Sequence, residues 1–288
     1  MIEPGGEVAR ALTASAGRPV SITRRVPLGG GCIGQVERIE TTEGPFVLKW
    51  MSNPPPELFD AERAGLEAIG AATPILRVPE VVAATPAFIV LEWLEPGVRD
   101  DTVDERLGRG LAELHRATNA RYGFPRTTWC GSTAQPNTWA DAWVAFYGSA
   151  RLGHQLSLAS GTGVMDTASR RAVERVIARL DSWITEPAEG PALIHGDLWS
   201  GNLHITRGGP ALLDPAVYFG HREAELGMMT LFGGFGPRVF EAYDEAFPLD
   251  PGWRDRNPLY QLYHVLNHVN LFGAQYLDRL SSIVRRYA

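Results

Sequence analysis

The chain has little cysteine, no long uncharged apolar run and no excess of positive charge. Its 288 residues include 2 cysteines, Cys32 and Cys130. That number builds no disulfide framework and fits a reducing cytoplasm. The net charge of −6 argues against a general nucleic-acid binder, which presents a basic face. The apolar run from Ala87 to Leu94 is short and carries Glu92, so no membrane span is expected. Met1-Ile2-Glu3-Pro4-Gly5-Gly6-Glu7 has neither the basic start nor the apolar core of a secretory signal. No repeat or low-complexity tract interrupts the chain. What remains, 44% hydrophobic and 21% charged, is the composition of a soluble globular protein. Its length allows one large domain or two with a sizeable core.

The most informative stretch is Leu193-Ile194-His195-Gly196-Asp197-Leu198-Trp199-Ser200-Gly201-Asn202, followed by Leu212-Leu213-Asp214-Pro215-Ala216. An Asp and an Asn lie five positions apart, and a second Asp follows twelve residues later behind a short apolar run. Phosphoryl transfer needs a carboxylate to receive the acceptor hydroxyl's proton and hard oxygen ligands for Mg2+ on the phosphates of ATP. Asp197 fits the first role, and Asn202 and Asp214 fit the second. Protein kinases carry H-R-D-x-x-x-x-N and then D-F-G. Here Gly196 stands in place of the Arg that pairs with a phosphorylated activation loop, Pro215 replaces the Phe, and no A-P-E segment follows. The pattern therefore predicts a small-molecule kinase with no phosphorylation-gated loop.

Upstream, Val20 to Val26 reads as a strand, and Gly29, Gly31, Gly34 and Val36 match G-x-G-x-x-G-x-V. Dinucleotide folds share that glycine pattern but lead from it into a helix. Here Gln35 to Thr41, the turn Thr42-Glu43-Gly44-Pro45 and Phe46 to Trp50 read as a hairpin. A glycine-rich turn between strands lays backbone N–H groups over phosphates, which makes Gly29, Gly30, Gly31, Cys32, Ile33 and Gly34 the candidate phosphate loop. Lys49, fifteen residues after Gly34, falls on the following strand, from which its ammonium can reach the phosphates. Past Pro54-Pro55-Pro56, a helix from Glu57 to about Gly70 shows Phe59, Leu66 and Ile69 at helical spacing. Glu62 shares that inward stripe and is the expected ion-pair partner of Lys49. Glu67 is the rival and reads more simply as a solvent-facing charge. Val78 to Ala84 and Ala87 to Trp93 read as two more strands. The exit Glu92-Trp93-Leu94-Glu95-Pro96-Gly97 suits a hinge where backbone groups of Glu92 and Leu94 would meet adenine.

The remainder reads mainly helical: Asp104 to Thr118, Thr138 to Ala150, Asp166 to Trp183, and most of the chain after Gly220. Thr127 to Asn137 reads as loop. Breaks are expected at Gly233 to Pro237 and from Pro248 to Pro258, with a helix from Leu259. His115 reads as structural. His264 and His268, at i and i+4, read as a packed helix face rather than a metal pair, for want of a third ligand. The fold class is thus α+β, with a small antiparallel sheet lobe carrying one key helix over residues 1–94 and a larger, mostly helical lobe over 95–288.

His195-Gly196-Asp197 with Asn202, Asp214, and Leu111-Ala112-Glu113-Leu114-His115 resemble the aminoglycoside phosphotransferase and choline kinase-like group. Within it, the chain resembles the fructosamine kinase (ketosamine-3-kinase) family. The narrower resemblance rests on Gly30-Gly31-Cys32-Ile33, on Asp197 to Asn202, on Gly131-Ser132-Thr133-Ala134-Gln135-Pro136-Asn137-Thr138-Trp139, on Trp143 with Phe146-Tyr147, and on Arg151-Leu152 with Gln155. Its longest part is Asp214 to Leu226, continuing through Leu231 to Phe235. The resemblance implies a two-lobed protein-kinase-like fold and ATP-dependent phosphorylation of the 3-hydroxyl of a ketosamine. The phosphorylated adduct then releases its amine, a deglycation role. It further implies that Trp199, and with less weight Asn137 and Trp139, shape the sugar site, while Trp143 is core. Glu225 stands where the family carries Asp. Cys32 is either a small residue suited to its turn or an oxidisable thiol beside the phosphates. The rival readings are an aminoglycoside- or choline-type kinase, with Asp244, Glu245 and Asp250 as an acidic pocket, and a non-catalytic nucleotide-binding regulator.

Overall fold

The computed structural model describes residues 5–29 and 34–288. Helix α1 (Gly5–Ala16) leads into a five-stranded antiparallel sheet of β1 (Ile22–Pro27), β2 (Gln35–Thr41), β3 (Gly44–Trp50), β4 (Val81–Ala84) and β5 (Phe88–Glu92), with α2 (Leu58–Ala72) inserted between β3 and β4. The strand order is β1-β2-β3-β5-β4, so β3, which carries Lys49, is central. Alternation along the strands divides the sheet into two faces. Ile39, Leu48, Phe88 and Val90 pack with Val8 and Leu12 of α1 on one face. Ile89 and Leu91 pack with Phe59 and Leu66 of α2 on the other.

Helix α3 (Asp101–Leu114) opens the second lobe, its N-terminus capped by Asp100, which accepts from the Thr102 N–H at 2.9 Å. Next come a small hairpin, β6 (Thr128–Cys130) and β7 (Thr133–Gln135), and then α4 (Trp143–Phe146), which continues through a π-helical stretch Tyr147–Gly153 into α5 (His154–Thr162). After α6 (Thr167–Ala178), strand β8 (Ala192–Ile194) enters the Asp197 segment, and β9 (Leu203–Thr206) and β10 (Gly209–Leu212) form the hairpin that delivers Asp214. Strand β11 (Tyr218–Gly220) returns beside β8. Four helices complete the lobe: α7 (Arg222–Leu231), α8 (Pro237–Ala246), α9 (Trp253–Phe272) and α10 (Leu277–Tyr287). Its core gathers Leu107, Leu111, Trp143, Tyr147, Leu193 and Leu262. Among the described residues, no helix is long and apolar enough to cross a membrane.

Three local expectations are corrected, and one helix went unread. Helix α1 was not legible, because only Val8 and Leu12 of its face are buried. The expected loop Thr127 to Asn137 holds the β6–β7 hairpin, whose strands are too short to show a period. The helix expected from Thr138 begins at Trp143, because Ala140 is held in a backbone bridge to Tyr122. Pro258 lies inside α9 rather than before it. One main-chain hydrogen bond is lost there, but the helix buries Leu259 through Asn267 without a gap, and that burial outweighs the loss.

Candidate active site

Lys49, Glu62, Asp197, Asn202 and Asp214 line one open cleft. The alternation that sends Leu48 into the α1 side of the sheet turns Lys49 toward α2. There its Nζ donates to Glu62 Oε1 at 2.6 Å and to Asp214 Oδ1 at 2.8 Å. Burial alone would lower the Lys49 pKa, but the charges of Asp214 and Glu62 outweigh it and hold the ammonium protonated above the ordinary lysine range. Glu62 is 8% exposed, whereas Glu67 pairs with Arg63 on the outer surface.

Strand β8 sets up the Asp197 loop, and its geometry explains Gly196. That residue has φ 83°, and a side-chain carbon on it would stand 2.2 Å from the Ala216 carbonyl oxygen. Any larger residue is therefore excluded. The N–H groups of His195 and Gly196 donate to the Glu225 carboxylate at 2.5 and 3.2 Å. Glu225, 1% exposed, thus braces the loop from the first turn of α7. Behind it His115 is fully buried, 3.8 Å from Glu225, with Nδ1 2.7 Å from the Tyr243 hydroxyl, as a structural histidine would be. His195 Nε2 lies 2.8 Å from the Leu213 carbonyl and its Nδ1 accepts from the Asp197 N–H at 3.3 Å. That pattern requires the neutral tautomer with its proton on Nε2, and burial lowers the His195 pKa in the same sense.

Asn202 closes a 3₁₀ turn, Ser200–Asn202, and its Nδ2 donates to the Asp197 carbonyl at 2.8 Å. Its Oδ1 is the remaining polar atom. Asp214 has φ 53°, a left-handed conformation that a non-glycine residue adopts at some cost, and in it the carboxylate meets Lys49. Burial, with the charge of Asp214 adding to it, pushes the Asp197 carboxyl up to about 8.

The other expected residues fall in different places. Gly34 has φ 80°, and a side-chain carbon there would meet Met51 at 2.7 Å. Gly30, Gly31, Cys32 and Ile33 lie outside the described residues, and so does the redox reading of Cys32. Gly29 ends the described part of the same segment. Trp199 lines the cleft. Asn137 is 3% exposed, and its amide is used internally: it donates to the Arg126 carbonyl and Thr128 Oγ1 and accepts from Arg151 at 2.6 Å. Trp139 stacks on Phe219 with ring centroids 6.4 Å apart. Neither is among the residues lining the cleft. At the hinge, the Glu92 N–H donates to the Glu80 carbonyl, and the Leu94 carbonyl lies 3.0 Å from His204 Nε2. His264 and His268 do not converge, because His268 Nδ1 is 2.7 Å from the His264 carbonyl.

Several lining residues were not assigned to the site from the sequence, among them Trp129 and Gly131, on and just after β6. The Trp129 indole N–H is buried without a partner. Gly131 opened the family-like stretch that ends at Trp139 without being singled out, and Trp129 carried no signal beyond a tryptophan in a stretch taken as loop.

Comparison with known proteins gives the chain a family. A sequence model of the family described as fructosamine kinase matches residues 5–288. A probable ketoamine kinase of Synechocystis is 38% identical over 98% of this chain and 96% of its own. The chloroplastic protein-ribulosamine 3-kinase of Arabidopsis thaliana is 37% identical over 94% of this chain and 84% of its own. The crystal structure of a Thermobifida fusca protein assigned as a fructosamine-3-kinase superposes with a TM-score of 0.89 at 34% identity, covering 97% of this chain and 98% of that one. At 18% identity and a TM-score of 0.62, an aminoglycoside phosphotransferase shares the two-lobed, kinase-like fold. With its Lys49–Glu62 pair, its Asp197 loop and its Asp214 turn on one cleft, this chain belongs to the fructosamine kinase family.

Proposed function

We propose that the protein is an ATP-dependent kinase that phosphorylates the 3-hydroxyl of a ketosamine, a ribulosamine or fructosamine adduct, and so promotes deglycation of the amine. The observation that carries this reading is the placement of Asp197 in the same cleft as the Lys49–Asp214 contact, within a chain of this family. Lys49, held by Glu62, positions the α- and β-phosphates of ATP. The Glu92 carbonyl and Leu94 N–H meet adenine at the hinge between lobes 1–94 and 95–288, and the Gly29 to Gly34 segment covers the phosphates.

Asn202 Oδ1 and the Asp214 carboxylate are hard oxygen donors of the kind Mg2+ prefers, and they would hold it against the phosphates. When bound, it would neutralise phosphate charge. Asp197 orients the sugar hydroxyl and accepts its proton as the oxygen attacks the γ-phosphorus and the bond to the β-phosphate oxygen breaks. Trp199 forms the wall against the sugar. Asn137 acts at one remove, holding Thr128 of the β6–β7 hairpin while Arg151 donates to its amide oxygen. Trp139 stacks on Phe219 of β11, outside the cleft lining. The scarcity of cysteine supports a reducing, cytoplasmic setting.

Two of the three acidic residues of the aminoglycoside reading are engaged within the chain, which weighs against it. Glu245 is paired with Arg238 at 2.6 Å, and Asp244 accepts from the Leu249 N–H at 2.7 Å. The test is ADP release with magnesium and ATP across ribulose-lysine, fructose-lysine, an aminoglycoside and choline, with Asp197→Asn as control. Release with a ketosamine alone supports the reading. Release only with another alcohol discards the deglycation role, and binding of nucleotide without any turnover would favour the regulator.

A further inference from the structure

Three side chains from distant parts of the chain come together at Asp197: the Cys130 thiol at the end of β6, the Asp197 carboxylate and the His264 imidazole of α9. One ligating atom of each lies within 4.8 Å of the other two, and His264 Nδ1 stands 4.0 Å from Asp197 Oδ1. That Nδ1 is buried with no hydrogen-bond partner, in a residue only 4% exposed. A buried imidazole nitrogen without a partner is uncommon and calls for a ligand.

We propose that Cys130, Asp197 and His264 bind a zinc ion, with the fourth coordination position open to the cleft, and that the bound ion silences the kinase by occupying the carboxylate of its base. The inhibitory half rests on the kinase reading of Asp197, but the metal site itself does not. One sulfur, one nitrogen and one oxygen donor suit Zn2+ rather than Mg2+. Bond lengths of about 2.3 Å to sulfur and about 2.0–2.2 Å to nitrogen and oxygen put tetrahedral ligand atoms roughly 3.4–3.6 Å apart, so from a spread of 4.8 Å the cluster must contract by about 1.4 Å at most.

The protons balance simply. The Cys130 thiol gives its proton to solvent as the zinc–sulfur bond forms, any proton on Asp197 leaves likewise, and neutral His264 contributes a lone pair. Thiolate and carboxylate together cancel the charge of the ion. Burial pushes His264 down to about 3, which keeps its nitrogen available. Because binding releases the thiol proton, it strengthens as pH rises. Asn267 Nδ2 donates to Cys130 Sγ at 3.2 Å, and the Arg151 cation also favours the thiolate. These are the outer contacts that orient and stabilise a metal-bound sulfur. Asp197 lines the cleft, which gives the ion its route in.

The test begins with metal-free protein titrated with cobalt(II), followed by zinc as competitor. The expected result is a thiolate-to-cobalt charge-transfer absorption that zinc abolishes. Cys130→Ser should lack that absorption, and His264→Gln should bind about tenfold more weakly or worse, with circular dichroism and a magnesium-ATP thermal shift as fold controls. Zinc should also inhibit ketosamine-dependent ADP release, each protein being measured against its own zinc-free rate. Sensitivity to zinc should fall about tenfold or more in Cys130→Ser. Absence of the thiolate band in the unaltered protein overturns the site. Equal zinc inhibition of the unaltered protein and Cys130→Ser overturns the inhibition and moves the ion to Asn202 and Asp214. Failure of every ketosamine to support turnover would instead refute the substrate reading, and the cobalt titration would still decide the site.

Discussion

Lys49 Nζ lies 2.8 Å from the Asp214 carboxylate, joining the central strand of the sheet lobe to a residue 165 positions away in the helical lobe. The same ammonium holds Glu62 at 2.6 Å, so a single cation serves two carboxylates beside the carboxyl of Asp197. An excess of acidic groups around one lysine is an arrangement that a divalent cation relieves. Lys49→Met should therefore reduce kcat/KM for ATP by about a hundredfold or more, with Mg2+ dependence retained. Glu62→Gln, which leaves the lysine in place but less constrained, should cost about tenfold. Steady-state kinetics over a range of ATP concentrations reads both effects. A Lys49→Met protein with unchanged kcat/KM would remove Lys49 from the phosphate site.

Asp197 makes a sharper prediction about proton transfer. Asp197→Asn should lower turnover by a factor on the order of hundreds or more while the protein still folds and binds ATP. The pH dependence follows in sign. A protonated base cannot accept the hydroxyl proton, so activity falls as pH falls through its pKa. With the carboxyl pushed up to about 8 in the nucleotide-free protein, that limb starts well above the ordinary carboxylate range. Mg2+ held by Asp214 would offset that residue's charge, the smaller of the two causes, and would draw the limb downward. The kcat/KM for the acceptor at saturating ATP, followed from acid to neutral pH, should show an acid limb above about 5. A profile flat through that region would mean that Asp197 does not carry the proton.

Glu225 departs from the family's Asp yet accepts from both loop N–H groups. Glu225→Ala strands two buried donors, at about 1–3 kcal/mol for each, and should lower both the melting temperature and kcat. Glu225→Asp keeps the acceptors but shortens their reach by one methylene, so its losses should fall between those of Glu225→Ala and the unaltered protein. Melting curves and turnover measured on the same preparations separate bracing from simple stability. If Glu225→Ala lost stability with kcat intact, the carboxylate would be supporting the core rather than the loop.

The hairpin of β2 and β3 was legible because alternation and a Gly-Pro turn are local signals. Glu62 was legible because a charge on the apolar stripe of α2 demands a partner, and Asp197, Asn202 and Asp214 because their spacing is fixed by the chemistry. The β6–β7 hairpin was not, since three-residue strands carry no period. The π-helical stretch Tyr147–Gly153 and the internal Pro258 were hidden for a different reason: tertiary burial overrides local preference at both. The meeting of Cys130 and His264 at Asp197 depends on how β6 and α9 pack, and no spacing along the chain encodes it.

Buried neutral histidines give the protein a dependence on acid that one substitution isolates. His221 is 5% exposed, its Nδ1 lies 2.7 Å from the Tyr260 hydroxyl, and burial with nearby Arg222 holds its pKa down to about 3. In the unfolded chain a histidine titrates near 6.5. Below that pH the unfolded state binds a proton that the folded state refuses, so stability is lost as pH falls from 6.5 toward 3. Between pH 7.5 and 5.5 this amounts to about 1.4 kcal/mol for one such histidine. Asp197, with its raised pKa, acts in the opposite direction over the same window, so the absolute slope mixes both signs. The difference between two proteins does not. His221→Gln is less stable than the parent at pH 7.5, but it should lose about 1.4 kcal/mol less on passing to pH 5.5. Urea unfolding at the two pH values measures that difference. Equal losses in the two proteins would show that His221 takes its proton in the folded state as readily as in the unfolded chain.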